Sequence, residues 1–212
     1  TEVSESTRTA TFTPGRDAAR KEASKLNVPR IGVRFRLPAS MNQVEYFGRG
    51  PAENYLDRNA GSMVGLYKST AEELYFPYVR PQENGHHTDT RWVSLSTGKK
   101  GLLIQADNTI GFNALRNSIE DFDDEEATGL SRQWSNFTPE QVANHDEAAA
   151  KNVLRRQHHI NDITPRDFVE VCVDLKQQGV AGYDSWGSRP EPAYTLPANR
   201  EYNWGFTLIP LK

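Results

Sequence analysis

One cysteine, Cys172, stands among the 212 residues, so no intrachain disulfide can staple this fold. It lies in the apolar run Val169-Glu-Val-Cys-Val-Asp-Leu175, where a thiol reads as a small buried hydrophobe rather than as a reactive group. Long hydrophobic runs are missing as well, and no stretch approaches the roughly 20 apolar residues a membrane-spanning helix requires. Neither charge sign is in large excess: 25 Lys and Arg against 28 Asp and Glu leave a net charge of −3. That balance gives no electrostatic reason to bind nucleic acid or an anionic membrane, and both partners are set aside. No charged segment followed by an apolar core is visible, so no signal peptide is read and the compartment stays open. No internal repeat is found.

What is present points to a folded, mostly β chain. Aromatic residues make up 10% of the sequence, which argues against disorder across most of it. The apolar fraction of 36% and mean hydropathy of −0.72 describe a well-solvated surface. The length suits one large all-β unit. Residues 1–28 are polar and read as a linker or a remnant of upstream strands, with one weak strand at Thr9–Thr13. From Pro29 the character changes. Ile31, Val33, Phe35 and Leu37 alternate with Gly32, Arg34 and Arg36, a period of two that sets four apolar groups on one sheet face. Val169, Val171, Val173 and Leu175 repeat this against Glu170 and Asp174. Further strands are expected at Val44–Phe47, Arg91–Leu95, Leu102–Ala106, Ile110–Leu115 and Asn203–Leu211, and Thr97-Gly-Lys-Lys-Gly101 reads as a hairpin turn. Many short strands, twelve prolines and fifteen glycines imply antiparallel sheet packed on sheet.

One stretch departs from this pattern. Thr138-Pro-Glu-Gln141 is a capping box with proline at the first helical position, and Phe137 and Val142 form a hydrophobic staple. A helix is predicted over about 138–156, carrying His145 on its solvent side. The acidic run Asp121-Phe-Asp-Asp-Glu-Glu126 ahead of it could ligate Ca²⁺ through oxygens, or be a solvated loop, since it lacks the glycine-punctuated spacing of a calcium loop. His86-His87 and His158-His159 are adjacent pairs, whose side chains point to opposite faces of a strand, so no shared metal site is expected at either.

Three segments concentrate Gly, Pro, Asn, aromatic and charged residues. They are Tyr46-Phe-Gly-Arg-Gly-Pro-Ala-Glu-Asn-Tyr-Leu-Asp-Arg58, the stretch from Tyr75 to Trp92, and Gly182-Tyr-Asp-Ser-Trp-Gly-Ser-Arg-Pro190. Aromatic faces suit the apolar side of a pyranose, and amides, carboxylates and Arg suit its hydroxyls. The same residues in Gly/Pro-rich loops also hydrogen-bond their own backbone, and composition leaves both readings open.

The ordered motifs Pro29-Arg-Ile-Gly32, Gly48-Arg-Gly-Pro-Ala-Glu-Asn-Tyr55 with Asp57-Arg58, and Pro81-Gln-Glu-Asn-Gly85 with Thr90-Arg-Trp92 carry a resemblance. Phe112-Asn-Ala114, Arg155-Arg-Gln-His158 with Asn161-Asp162, Asp174-Leu-Lys-Gln-Gln-Gly179 and Asp184-Ser-Trp-Gly187 continue it. Over residues 29–212 the chain resembles the small-chain, C-terminal domain of family 2 β-galactosidases. The resemblance implies a large antiparallel supersandwich similar to galactose mutarotase, ending the polypeptide. It implies that Trp186 is a platform for the aglycone sugar, with Asp184 and Arg189 supporting its loop. Glu53, Asn54, Tyr55, Asp57, Arg58, Glu83, Asn84 and Arg91 are expected in mutual ion pairs and loop hydrogen bonds.

The family's two catalytic glutamates sit on a barrel, and no segment here resembles either barrel motif. The expectation is therefore a non-catalytic domain that shapes the aglycone side of a galactoside-hydrolysing parent, with a free-standing carbohydrate-binding module as the alternative. No cofactor is expected on this chain, the family's Mg and Na belonging to other domains. Expected partners are a galactoside, the parent's remaining domains and a second copy of the chain. The region 119–150 is longer than the family's usual connection and reads as an insertion, and an uncovered sheet edge would favour self-association.

Overall fold

The computed structural model describes residues 6–12 (as backbone), 26–122, 160–184 and 187–212. The predicted helix at 138–156, the acidic run beyond Phe122, His145, His158, His159 and Trp186 lie outside the described residues.

Among the described residues eight strands form: β1 (Ser6–Phe12), β2 (Arg30–Pro38), β3 (Gln43–Gly50), β4 (Met63–Thr70), β5 (His87–Ser96), β6 (Gly101–Leu115), β7 (Phe168–Gln177) and β8 (Tyr202–Leu211). The helical elements described are single 3₁₀ turns at Ile119–Asp121, Ile160–Asp162 and Pro192–Tyr194. Every strand pair is antiparallel, and the chain is a mostly-β sandwich.

The layers are organised by β6. Its first half, Gly101–Ala106, lies between β5 and β8 in the run β1-β8-β6-β5-β3-β4. Its second half, Gly111–Leu115, pairs with β7, which pairs in turn with β2. Between the halves, two residues of β5 (Thr90 to Trp92) span five of β6 (Ile110 to Gln105). An irregularity of this kind bends a strand and re-aims its pairing. The expected strands Leu102–Ala106 and Ile110–Leu115 are thus one long strand bent through the exposed Asp107-Asn-Thr109.

The core fills the space so enclosed. Val44 and Tyr46 of β3, Val93 and Leu95 of β5, Ile104, Ile110 and Phe112 of β6, the β7 valines, and Trp204 and Phe206 of β8 are all buried. The alternation expected for β2 is split by a register shift between Ile31 and Gly32. Val33, Phe35 and Leu37 lie against the main core, whereas Ile31 joins Leu196 and Tyr202 in a second cluster. On β7 the polar alternates Glu170 and Asp174 are buried too, and β2 supplies an arginine to each, Arg36 to Glu170 and Arg30 to Asp174. Thr97 N donates to Lys100 O at 2.8 Å, closing the expected hairpin turn, with Gly98 at φ 82°.

β4 was not foreseen in the sequence. It ends the strand run, and Met63, Val64 and Leu66 remain 72, 41 and 63% exposed, so no buried face imposed an apolar/polar alternation on it. This is an edge strand with exposed apolar groups, the feature that invites association.

Leu95→Ala, at a fully buried position, is expected to lower unfolding free energy by about 2–5 kcal/mol in urea titrations. Leu66→Ser on exposed β4 should stay within about 0.5 kcal/mol of wild type. Equal losses at the two sites would contradict this placement of the core.

Candidate functional site

Beneath the loops lies a buried polar cluster built on Arg30. Its Nη2 donates to Asn113 Oδ1 at 2.7 Å and to Gln177 Oε1 at 2.6 Å, and lies 3.4 Å from Glu83 Oε1. Its Nε is 3.0 Å from Asp174 Oδ2, an ion-pair contact too bent to count as an aligned hydrogen bond. Two glycines make room for the cluster. A Cβ on Gly32 would sit 2.0 Å from Asp174 Oδ1, and one on Gly111 would sit 2.4 Å from His86 Cε1.

Burial dominates the acid–base properties of this cluster. It pushes the Asp174 carboxyl up to about 7 despite the opposing pull of Arg30, and lowers His86 to about 3, with Arg30 adding to the effect. Asn113 Nδ2 donates to Asn84 O, so its Oδ1 is an acceptor; His86 Nδ1, 2.8 Å from that oxygen, must carry the proton of the neutral ring. His87 is also buried and lowered by burial, stacking on Phe112 at 5.0 Å. The adjacent histidines thus occupy separate environments, and no metal-binding group of three or more His, Cys, Asp or Glu occurs among the described residues. The Cys172 thiol is buried as expected, and burial pushes it up to about 12.

Two carboxylates bring the three dense segments together. Glu53, on the first, accepts Gly85 N at 2.7 Å and a hydrogen bond from Tyr78 OH on the second. It also accepts Arg58 Nη2 at 2.7 Å and Tyr55 OH at 3.3 Å. Asp57 reaches the third segment, accepting Val180 N at 3.1 Å and Ala181 N at 2.8 Å, with Tyr183 OH at 3.5 Å. A Cβ on Gly179 would lie 2.4 Å from Asp57 Oδ2, so only glycine admits this approach. Beyond it, Ser188 Oγ accepts Gly182 N at 3.2 Å and Tyr183 N at 2.9 Å, closing the base of the loop. Ala181, Gly182 and Gly187 have φ of 55, 86 and 86°.

The expectation of local pairing is met for Glu53 with Arg58, whereas the neighbouring Asp57 serves a loop more than 120 residues away in sequence. Asn54 is fully buried, donating to Arg49 O and Ala52 O and accepting from Thr88 N and Oγ1. Asn84 holds the backbone of Phe76 through both its N–H and its carbonyl. Glu83 joins the Arg30 cluster, and Arg91 bonds Asp89 O and faces the Phe47 ring at 5.5 Å. Asp121, the first residue of the acidic run, pairs with Arg166 and accepts Ser118 N at 2.9 Å. Asp184 and Arg189 are exposed, and Trp186 is beyond the described residues. Arg30, Ser188 and Tyr194 were not singled out in the sequence; the Pro-Arg-Ile-Gly motif was the one signal of the first.

The fold so described is an antiparallel β-sandwich whose aromatic, amide and carboxylate loops are tied together by Glu53 and Asp57. The chain belongs to the β-galactosidase small chain family, whose description matches residues 3–208. A β-galactosidase of Priestia megaterium is 35% identical over 185 residues, covering 87% of this chain and 15% of that protein. One from an Arthrobacter species is 40% identical over 111 residues, covering 50% of this chain and 11% of that protein; one from Vibrio cholerae is 29% identical over 181, covering 85% and 14%. The chain thus spans about a seventh of the length of the first and third of these relatives.

Asp57→Ala removes a charged acceptor shared by two backbone amides, a bond class worth about 1.5–3 kcal/mol. Amide exchange at Val180 and Ala181 is expected to accelerate by about tenfold or more, and unchanged protection would remove Asp57 as the anchor.

The two buried titrations oppose each other. The raised Asp174 contributes stability that is full below about pH 3.8 and is lost as pH rises through about 7. The depressed His86 contributes stability present above about 6.5 and lost as pH falls toward 3. Asp174→Asn removes the first contribution alone. Its unfolding free energy should therefore rise between pH 5 and 7 by on the order of 2 kcal/mol more than that of wild type. Parallel pH profiles would contradict a raised Asp174.

Proposed function

We propose that this chain is a non-catalytic domain of a β-galactosidase that shapes the aglycone side of the parent's active site. Trp186 is the platform on which the leaving sugar rests, and Asp184 and Arg189 support its loop. The observation that supports this reading is the anchoring of Val180–Tyr183, by Asp57 from a separate segment and by the Ser188 hydroxyl. Fixed flanking residues suit a stacking platform, because an indole serves as a flat apolar face best where its backbone is held. The partners are a galactoside and the remaining domains of the parent, with no cofactor required on this chain. The exposed apolar edge of β4 is the surface suited to a second copy or to those domains.

Purified alone, the chain is expected to leave a nitrophenyl β-galactoside unhydrolysed, and turnover would overturn the non-catalytic role. In the full-length enzyme, Trp186→Ala is expected to raise KM for lactose by about tenfold, the scale of one lost aromatic stack. Unchanged lactose kinetics would remove Trp186 from the site.

A further inference from the structure

Next to the Asp57 anchor, the 52–62 segment, the Phe76–Tyr78 turn and Tyr194 line an open groove of about 570 Å³. That volume falls within the range of small-ligand sites, roughly 300–1,000 Å³. Its aromatic walls are accessible: Phe76 is 48% exposed and Tyr194 36%. Phe76 and Tyr78 lie 4.5 Å apart at 47°, and the Phe76 backbone is clamped by Asn84. The opposite wall is equally fixed, with Arg49 Nη1 donating to Asn59 O and Ser62 O, and Ser62 N donating to Asn59 O at 3.0 Å.

The polar groups of the groove are held while keeping capacity to spare. Arg58 is fixed through Nη2 by Glu53 and Tyr78 OH, and its guanidinium lies 5.1 Å from the Tyr55 ring centroid. Its Nε and Nη1 meet no acceptor among the described residues, and they lie on opposite edges of the guanidinium, so each is a single donor for a hydroxyl oxygen. Asn59 spends one donor on Thr88 Oγ1 at 3.3 Å, and its amide oxygen takes no donor among the described residues. The charge of Arg58 is matched by Glu53, and Asp57 adds a second carboxylate, so the lining does not favour an anionic ligand. Flat apolar faces beside fixed hydroxyl-pairing groups without net positive charge are the recognition chemistry of a neutral sugar.

We propose that this groove is a carbohydrate subsite, taking one neutral pyranose of a galactoside on residues other than Trp186. The choice of a galactoside rests on the proposed function; the groove itself does not require Trp186.

The test is titration of the isotope-labelled 212-residue chain with lactose up to about 50 mM, read by amide chemical shifts, where a Kd on the millimolar scale is expected. Shifts should concentrate at Asn59, Gly61, Ser62, Phe76, Tyr78 and Tyr194. Phe76→Ala and Tyr194→Ala should each weaken binding by about tenfold, whereas Trp186→Ala should leave these shifts in place. Galacturonate, the anionic counterpart of galactose, should bind more weakly than galactose. Absent shifts, shifts that survive both aromatic truncations, or preferred galacturonate would overturn the subsite. Binding lost only in Trp186→Ala would overturn it while leaving the platform reading intact. If lactose kinetics of the full enzyme ignore Trp186→Ala while the groove still binds, the platform falls and the subsite stands. Should one truncation fail to fold, as its amide spectrum would show, the other decides.

Discussion

Arg30 is a permanent cation drawn out of water, and the arrangement around it follows from that. Desolvating a guanidinium costs several kcal/mol unless its donors are met and its charge is opposed. Here the compensation comes from four places in the chain: Asp174 and Gln177 on β7, Asn113 on β6, and Glu83 in the loop before β5. One side chain therefore fixes β2 against β7 and both against the bend of β6. The glycines at 32 and 111 follow from the same constraint, since any Cβ there would occupy the space of Asp174 or His86. Removing Arg30 would leave a buried carboxylate and a buried amide short of partners, a larger loss than the pair's net contribution.

The cluster also connects the core to the loops. Asn113 donates to Asn84 O, Asn84 clamps Phe76, and the next residue, Gly85, donates to Glu53. Glu53 holds Arg58 and Tyr78, and its neighbour Asp57 holds Val180 and Ala181. Polar contacts joined by short stretches of chain thus link the buried cluster to Val180 and Ala181. The three carboxylates on this path differ by environment. Asp174, dry and beside one cation, drifts toward neutrality. Glu53 is satisfied by four donors, and Asp57 faces backbone amides at a half-open surface.

Much of the sheet was legible in advance because burial of one face forces a period of two. β2 and β7 were found where alternation placed them, β3, β5 and β8 contain the segments expected as strands, and β1 lies within a few residues of its expected place. β4 escaped because its apolar residues face solvent, so nothing in the packing constrained their order. The joining of two expected strands into β6 was hidden because local pattern does not show which partner each half will find. The loops were legible as candidates from composition, and their family from ordered motifs. That Asp57 would leave Arg58 and bind a segment beyond residue 178 was not, since adjacency in sequence suggested a local pair.

By itself the sequence determined the mostly-β character, the placing of the one cysteine in an apolar strand, the lack of a nucleic-acid or membrane charge signature, and membership of the small-chain family. These rest on composition, short-range periodicity and motif order, which are properties of the chain before it folds. Tertiary structure alone decided which polar residues became buried partners, which carboxylate anchored which loop, and that a groove opened beside Phe76 and Tyr194. Those outcomes depend on contacts between residues far apart in the chain. Their energies come from desolvation and geometry, which exist only once the layers have closed.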